Sequence, residues 1–263
     1  MPRTTSTGRS APPSSCVGFA LATGCAERRR IGVGVNAHDP YIDPDTGILR
    51  NLVGARTQAE LDRAEADLTA VRAIELIDRL PVPTGDLDEL RGIHRALFQD
   101  VYDWAGEIRT IDMRKNVDGA ELFLPQFQIE RAAGFAAEEL RTDNMLRGLD
   151  RDRFVDRLAY HYDQFNYIHP AREGNGRTGR LFWDRISRDA GYTLDWRDVS
   201  GRENDHASRT ASEQGDRTPL RSLFDRIAVS LERGNDERTA RFDRLAIHRQ
   251  PREHDDRELD FDR

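Results

Sequence analysis

Lysine is nearly missing from this chain. Of the 40 basic residues among 263, Lys115 is the only lysine. Arginine used so uniformly weakens any argument that a particular arginine was preferred over lysine. Cysteine is almost as scarce: Cys16 and Cys25 lie close together near the N-terminus, and none follows. That excludes a disulfide framework and a cysteine-ligated metal. No apolar run approaches the roughly 20 residues of a membrane span. Positive charge is not in excess either. A net charge of −7 argues against general adhesion to nucleic acid or anionic membrane, because phosphate surfaces are held by Lys and Arg. With 37% hydrophobic and 33% charged residues, what remains is a globular, cytoplasmic protein with no direct nucleic-acid partner and no membrane. A local basic site is still open.

Residues 1–38 are rich in Ser, Thr, Pro, Gly and Arg and show no period. They read as a disordered extension, or as the product of a start codon placed too far upstream. "CVGFALATGC" has the outline of a weak export signal. Its apolar part is short, however, and broken by Gly18 and Gly24, and Ala22 stands where a lipoprotein signal prefers leucine. Order is expected from "DPYIDPDTGILRN", whose Pro, Asp and Gly suggest turns. A capping box, Thr57 to Glu60, opens a helix with Leu61, Ala64, Leu68, Val71 and Glu75 at helical spacing. A second box, Asp86 to Glu89, opens a helix whose stripe is Leu87, Leu90, Ile93, Leu97, Val101 and Trp104. His94 lies beside that stripe and is expected to be a core hydrogen-bonder. A hairpin is predicted from about Ile108 to Leu124, because the helical period stops there and "NVDG" offers a turn. Helices are expected at 127–147, at 152–167 with Phe154, Leu158, Tyr162 and Phe165 on one face, and after Gly176 with Leu181, Phe182 and Ile186 buried. A last helix begins with Thr218 as N-cap and Pro219 in its first turn. Residues 233–263 read as a charged flexible tail. The fold class is mainly α, a helical bundle with one short β-hairpin, formed by residues 39–232.

One segment carries chemistry: "YIHPAREGNGRTGR", Tyr167 to Arg180. Gly174, Asn175 and Gly176 lie between two helices, where backbone N–H groups can converge into an anion-binding nest that leads into a helix N-terminus. Arg177 and Arg180 share one side of the first helical turn. Two guanidiniums there suit successive phosphates of a nucleotide. Glu173 would repel phosphate unless a divalent cation lay between them, and Mg²⁺ commonly takes one or two carboxylates plus phosphate oxygens. His169, at the end of the preceding helix, is placed to accept a proton from an incoming hydroxyl.

"HPAREGNGRTGR" resembles the signature of the Fic-domain family, H-P-F-x-(D/E)-G-N-G-R-x-x-R, departing only at Ala171, where the family usually has Phe. "HRALFQDVYDWAGEIRT" is similar to that family's central helix and flap entry, and the likeness runs from about Asp39 to Leu231. The resemblance implies a small bacterial toxin-like enzyme that transfers AMP from Mg²⁺-bound ATP to a protein hydroxyl. His169 would then be the general base and Glu173 the Mg²⁺ ligand. Asn175 with Gly174 and Gly176 would cradle the α- and β-phosphates, Arg177 would grip the β-phosphate and Arg180 the γ-phosphate. The hairpin would be a flap that pairs with an extended segment of the target, with Lys115 and Phe123 as candidate contacts. A branch that transfers phosphate instead has Lys in place of Gly176, so Gly176 favours nucleotidyl transfer.

Many members restrain themselves with a helix of pattern (S/T)-x-x-x-E-(G/N). Glu is followed by Gly or Asn only at Glu173, inside the signature, and at Glu203, where Val199 stands in the Ser/Thr position. A separate small antitoxin whose Glu engages Arg180 is therefore expected. The target is a protein bearing a Ser, Thr or Tyr hydroxyl, with a type II topoisomerase subunit as the family-level expectation. Two alternatives compete. One is a nucleotide-binding interaction module with little or no turnover, for which Ala171 leaves room. The other is a metal-dependent hydrolase built on His161 and His169, which lacks a third ligand.

Overall fold

A computed structural model of the chain describes residues 39–79, 81–114 and 121–231. Seven α-helices and two short strands are found among them: α1 (Gln58–Asp78), α2 (Leu87–Phe98), α3 (Ile129–Thr142), α4 (Arg151–Ile168), α5 (Asn175–Asp189), β1 (Tyr192–Leu194), α6 (Gly201–Gln214), α7 (Thr218–Ile227) and β2 (Ala228–Ser230). The cysteines and Lys115 lie outside the described residues.

Helix starts follow local chemistry. Thr57 caps α1 reciprocally with Glu60, an arrangement worth about 1 kcal/mol. Asp86 caps α2 through the N–H groups of Asp88 and Glu89. The Glu89 carboxylate does not complete that box; it accepts instead from Gly85 N–H at 2.7 Å and pairs with Arg185 on α5. Asp150 and Ser200 cap α4 and α6. At α7 the cap is Arg217, one residue earlier than expected, with Pro219 still in the first turn.

α4 is the central helix, touching α3, α5, α6 and α7, while α2 joins α1 to α5. Phe154, Leu158, Tyr162 and Phe165 of α4 are buried as their spacing predicts, and so are Leu181, Phe182 and Ile186 of α5. The stripe expected on α1 is corrected. Its buried face is Leu61, Glu65, Thr69, Ala73 and Leu76, while Val71 is exposed. An apolar count misses this face because two of its members are polar and reach the site described below.

The predicted hairpin is reduced to one antiparallel bridge among the described residues, Arg114 with Leu122, extended by a Phe123 N–H to Met113 C=O bond of 3.0 Å. The regular sheet lies elsewhere. β1 and β2 pair antiparallel, Tyr192 opposite Ser230 and Leu194 opposite Ala228. The 39–50 turn is ordered by an Ile42–Leu49 bridge. It meets the flap where Tyr41 Oη accepts from Thr110 N–H at 3.1 Å.

Candidate active site

The histidine-to-arginine segment joins α4 to α5. α4 ends at Ile168 because proline at 170 cannot continue it and keeps the residue before it out of the right-handed helix. His169 therefore turns left-handed, φ 47° and ψ 64°, which costs a non-glycine residue about 1–2 kcal/mol. Its neighbours hold it there. Its carbonyl accepts from Arg109 Nε at 2.8 Å, and its N–H donates to Phe165 C=O at 3.3 Å. Its imidazole lies flat on Phe123, ring centroids 3.8 Å apart and planes within 10°. Phe123 thus meets the histidine predicted as base.

The loop that follows is pinned at Ala171 by the side chain of Asn175. Asn175 Nδ2 donates to Ala171 C=O at 2.7 Å, and Asn175 Oδ1 accepts from Ala171 N–H at 2.9 Å. Arg172 pairs with Asp39 at 3.0 Å. His94 supplies a further hold. Gly106 N–H donates to its Nδ1 at 2.8 Å, so the ring proton is on Nε2, which donates to Glu173 C=O at 2.9 Å. Burial pushes the His94 pKa down to about 4, so the ring is neutral. Phe98 stacks on His94 and forms the floor of the loop: a side chain at Gly174 would collide with it.

The nest is narrower than the sequence suggests. Among Gly174, Asn175 and Gly176 only Gly174 has positive φ, 83°, and α5 begins at once with Asn175. No side chain caps α5, so the N–H groups of its first turn face the cleft with the dipole behind them. Gly176 is exposed at that spot, and a Cβ there would meet nothing within 4 Å. Neither packing nor backbone conformation demands glycine at 176.

The two arginines divide their work. Arg177 pairs with Glu65 of α1, whose side chain is 1% exposed, donates to Thr69 Oγ1 at 3.2 Å, and lies over the Phe98 ring. Tyr102 also donates to Glu65. Arg180 has no ion pair among the described residues. It lies over Trp196, with its guanidinium carbon 5.4 Å from the ring centre. Burial pulls its pKa down, as does Arg177, while Tyr162 and Asp205 oppose that. A half-buried guanidinium of this kind calls for an anion.

The cleft is bounded by α5's first turn, the flap's returning leg and α6. Gly176, Gly179, Phe123, Tyr162, Asn204 and Asp205 line it. Tyr162 Oη donates to Asn204 Oδ1 at 2.9 Å. The α6 wall is absent from the sequence reading because "GRENDHASRTASEQ" has no apolar stripe. The signal that could have found it is Ser200 followed by Glu203, the spacing of a capping box. Glu65, Thr69 and Arg109 were also missed, since buried polar residues give no periodic signal.

Glu173 stands at the entry to α5, with its Oε1 accepting from Gly174 N–H at 2.9 Å. No group of three His, Cys, Asp or Glu side chains that could hold a metal occurs among the described residues. A single carboxylate beside an anion cradle fits Mg²⁺, which takes most of its oxygens from phosphate and water. His161 is fully buried and bonded to Asp143 at 2.8 Å. The pair His161 and His169 therefore does not assemble a metal centre. No helix among the described residues is long and apolar enough to cross a membrane.

Comparison with known proteins agrees with this geometry. The model of the Fic/DOC family matches residues 84–186. The chain is 41% identical over 172 residues to protein adenylyltransferase VbhT of Bartonella schoenbuchensis, covering 65% of this chain and 35% of that protein. It is 35% identical over 189 residues to the probable protein adenylyltransferase Fic of Escherichia coli, covering 72% and 92% respectively. The chain thus spans about a third of the first relative and nearly all of the second. Among solved structures it resembles the N-terminal Fic domain of a putative cell filamentation protein from Bartonella quintana with bound ADP. That match has a TM-score of 0.68 and 27% identity, and covers 73% of this chain and 95% of that one.

Proposed function

The chain belongs to the Fic/DOC family, and on that premise we propose that it is a protein adenylyltransferase that moves AMP from ATP to a hydroxyl side chain of a target protein. The observation that carries this is the N-terminus of α5, which has no side-chain cap, with Gly176 open in its first turn and His169 lining the same cleft. The first-turn N–H groups bind the α- and β-phosphates. Arg180 takes the γ-phosphate. Arg177, neutralised by Glu65, braces α5 and presents what remains of its donor fork to the β-phosphate. Glu173 would hold Mg²⁺ together with phosphate oxygens, and the ion would supply neutralising charge for the leaving pyrophosphate.

His169 accepts the proton of the target hydroxyl. The hydroxyl oxygen attacks the α-phosphorus, the bond from that phosphorus to the oxygen bridging to the β-phosphate breaks, and pyrophosphate leaves with the electron pair. The flap, with Phe123 over His169, pairs with an extended target segment and sets its register. A bacterial toxin role follows, with a separate small antitoxin whose Glu occupies Arg180. A type II topoisomerase subunit is the proposed target. The experiment is incubation of the chain with ATP labelled at the α-phosphate and a bacterial lysate. Labelled protein is expected with the parent and none with His169→Ala; label that survives the substitution removes His169 from the role of base.

A further inference from the structure

The Arg109 side chain is fully enclosed in the core, 0% exposed. Among the described residues only Asp112 approaches it as a counter-ion, at 3.9 Å, which is no hydrogen bond. Backbone carbonyls satisfy it instead. Nη1 donates to Ile111 C=O at 2.6 Å and Nη2 donates to Leu124 C=O, so one guanidinium ties the outgoing and returning legs of the flap. Nε donates to His169 C=O at 2.8 Å, and Nη2 also reaches Ile168 C=O at 3.4 Å. Arg109's own N–H donates to Pro170 C=O at 2.8 Å. The guanidinium fork therefore joins the flap base, the last turn of α4 and the left-handed histidine, and the Arg109 backbone N–H adds the start of the anion loop. Arg109 is absent from the cleft lining.

We infer that Arg109 is a positioning residue that fixes the distance between the flap and His169. A target hydroxyl registered on the flap then arrives at the imidazole, while nucleotide binding is left to α5. The inference rests on the adenylyl-transfer reading above. The geometry of a fork with five donors explains why lysine cannot substitute: three donors on a point charge cannot span carbonyls on three segments. A misplacement of about 1 Å between reacting groups costs on the order of 100-fold in rate.

The test is Arg109→Lys in the full chain, with Mg·ATP binding measured by calorimetry and transfer measured by label from the α-phosphate in lysate. The expected result is an affinity within about two-fold of the parent and a transfer rate lower by about 100-fold, the pattern of a lost transition-state arrangement. Transfer that stays within about two-fold of the parent overturns the inference, and so does a parallel loss of binding and transfer. A parent that binds Mg·ATP but labels nothing overturns the adenylyl-transfer reading itself, and this inference with it. If Arg109→Lys does not fold, hydrogen exchange of Arg109 Nε–H in the parent decides. Strong protection, lost together with that of Leu124 N–H, is expected; exchange as fast as a solvated guanidinium overturns the inference.

Discussion

His169, Gly176 and the arginine pair make separable predictions at the residue scale. His169→Ala leaves α5 and its N–H groups in place. It should bind Mg·ATP like the parent but lose transfer by about 100-fold or more, the usual contribution of a positioned base. Gly176 has no steric neighbour and ordinary helical backbone. Gly176→Ala should therefore raise thermal stability slightly, by up to about 1 kcal/mol of helix propensity, while weakening nucleotide binding in calorimetry. If affinity is unchanged, phosphate does not approach that amide. Arg180, without an ion pair among the described residues, differs from Arg177, held by Glu65 and Thr69. Arg180→Ala should lower nucleotide affinity with little effect on folding, whereas Glu65→Ala should lower the melting temperature by leaving Arg177 without its buried partner.

Among elements, the join of α2 to α5 carries the site. Glu89 and Arg185 form a buried pair, with side-chain exposures of 0% and 10%. Burial raises the Glu89 carboxyl, against the lowering pull of Gly85 N–H and Arg185. Removing one partner strands the other, so Glu89→Ala should cost about 3–5 kcal/mol in denaturant unfolding. A cost below about 1 kcal/mol would show that water reaches the pair. The same elements show what a sequence can tell. α2, α4 and α5 were legible because apolar residues recur at their period between recognisable caps. α6 was not, because it buries mainly small and polar residues, Ala207, Ser208, Thr210 and Ala211. β1 and β2 were too short to set up an alternation. The loop's chemistry was legible residue by residue, yet its support was not. Glu65, Thr69, His94 and Arg109 act across gaps of about 60 to 110 residues in sequence, and only the fold brings them together.

For the whole molecule, acid is the informative perturbation. His94 is neutral in the folded chain, its pKa depressed from 6.5 to about 4 by burial, with Glu173 opposing and Arg177 adding to the shift. His161 is lowered by burial too, with Asp143 opposing. Between pH 6.5 and 4 the unfolded chain therefore binds more protons than the folded one. Stability is full above pH 6.5 and falls as the pH drops through that window, by on the order of 3 kcal/mol from His94 alone. Thermal melts across this range should show the loss, and His94→Gln should flatten it.

The central claim is that the anion cradle and His169 deliver a nucleotidyl group, and not a phosphate, to a protein hydroxyl. Mass spectrometry of lysate proteins incubated with the chain and Mg·ATP tests it most directly. The account predicts AMP adducts on Ser, Thr or Tyr that vanish with His169→Ala. Adducts of phosphate alone, or AMP adducts undiminished in that variant, would contradict it.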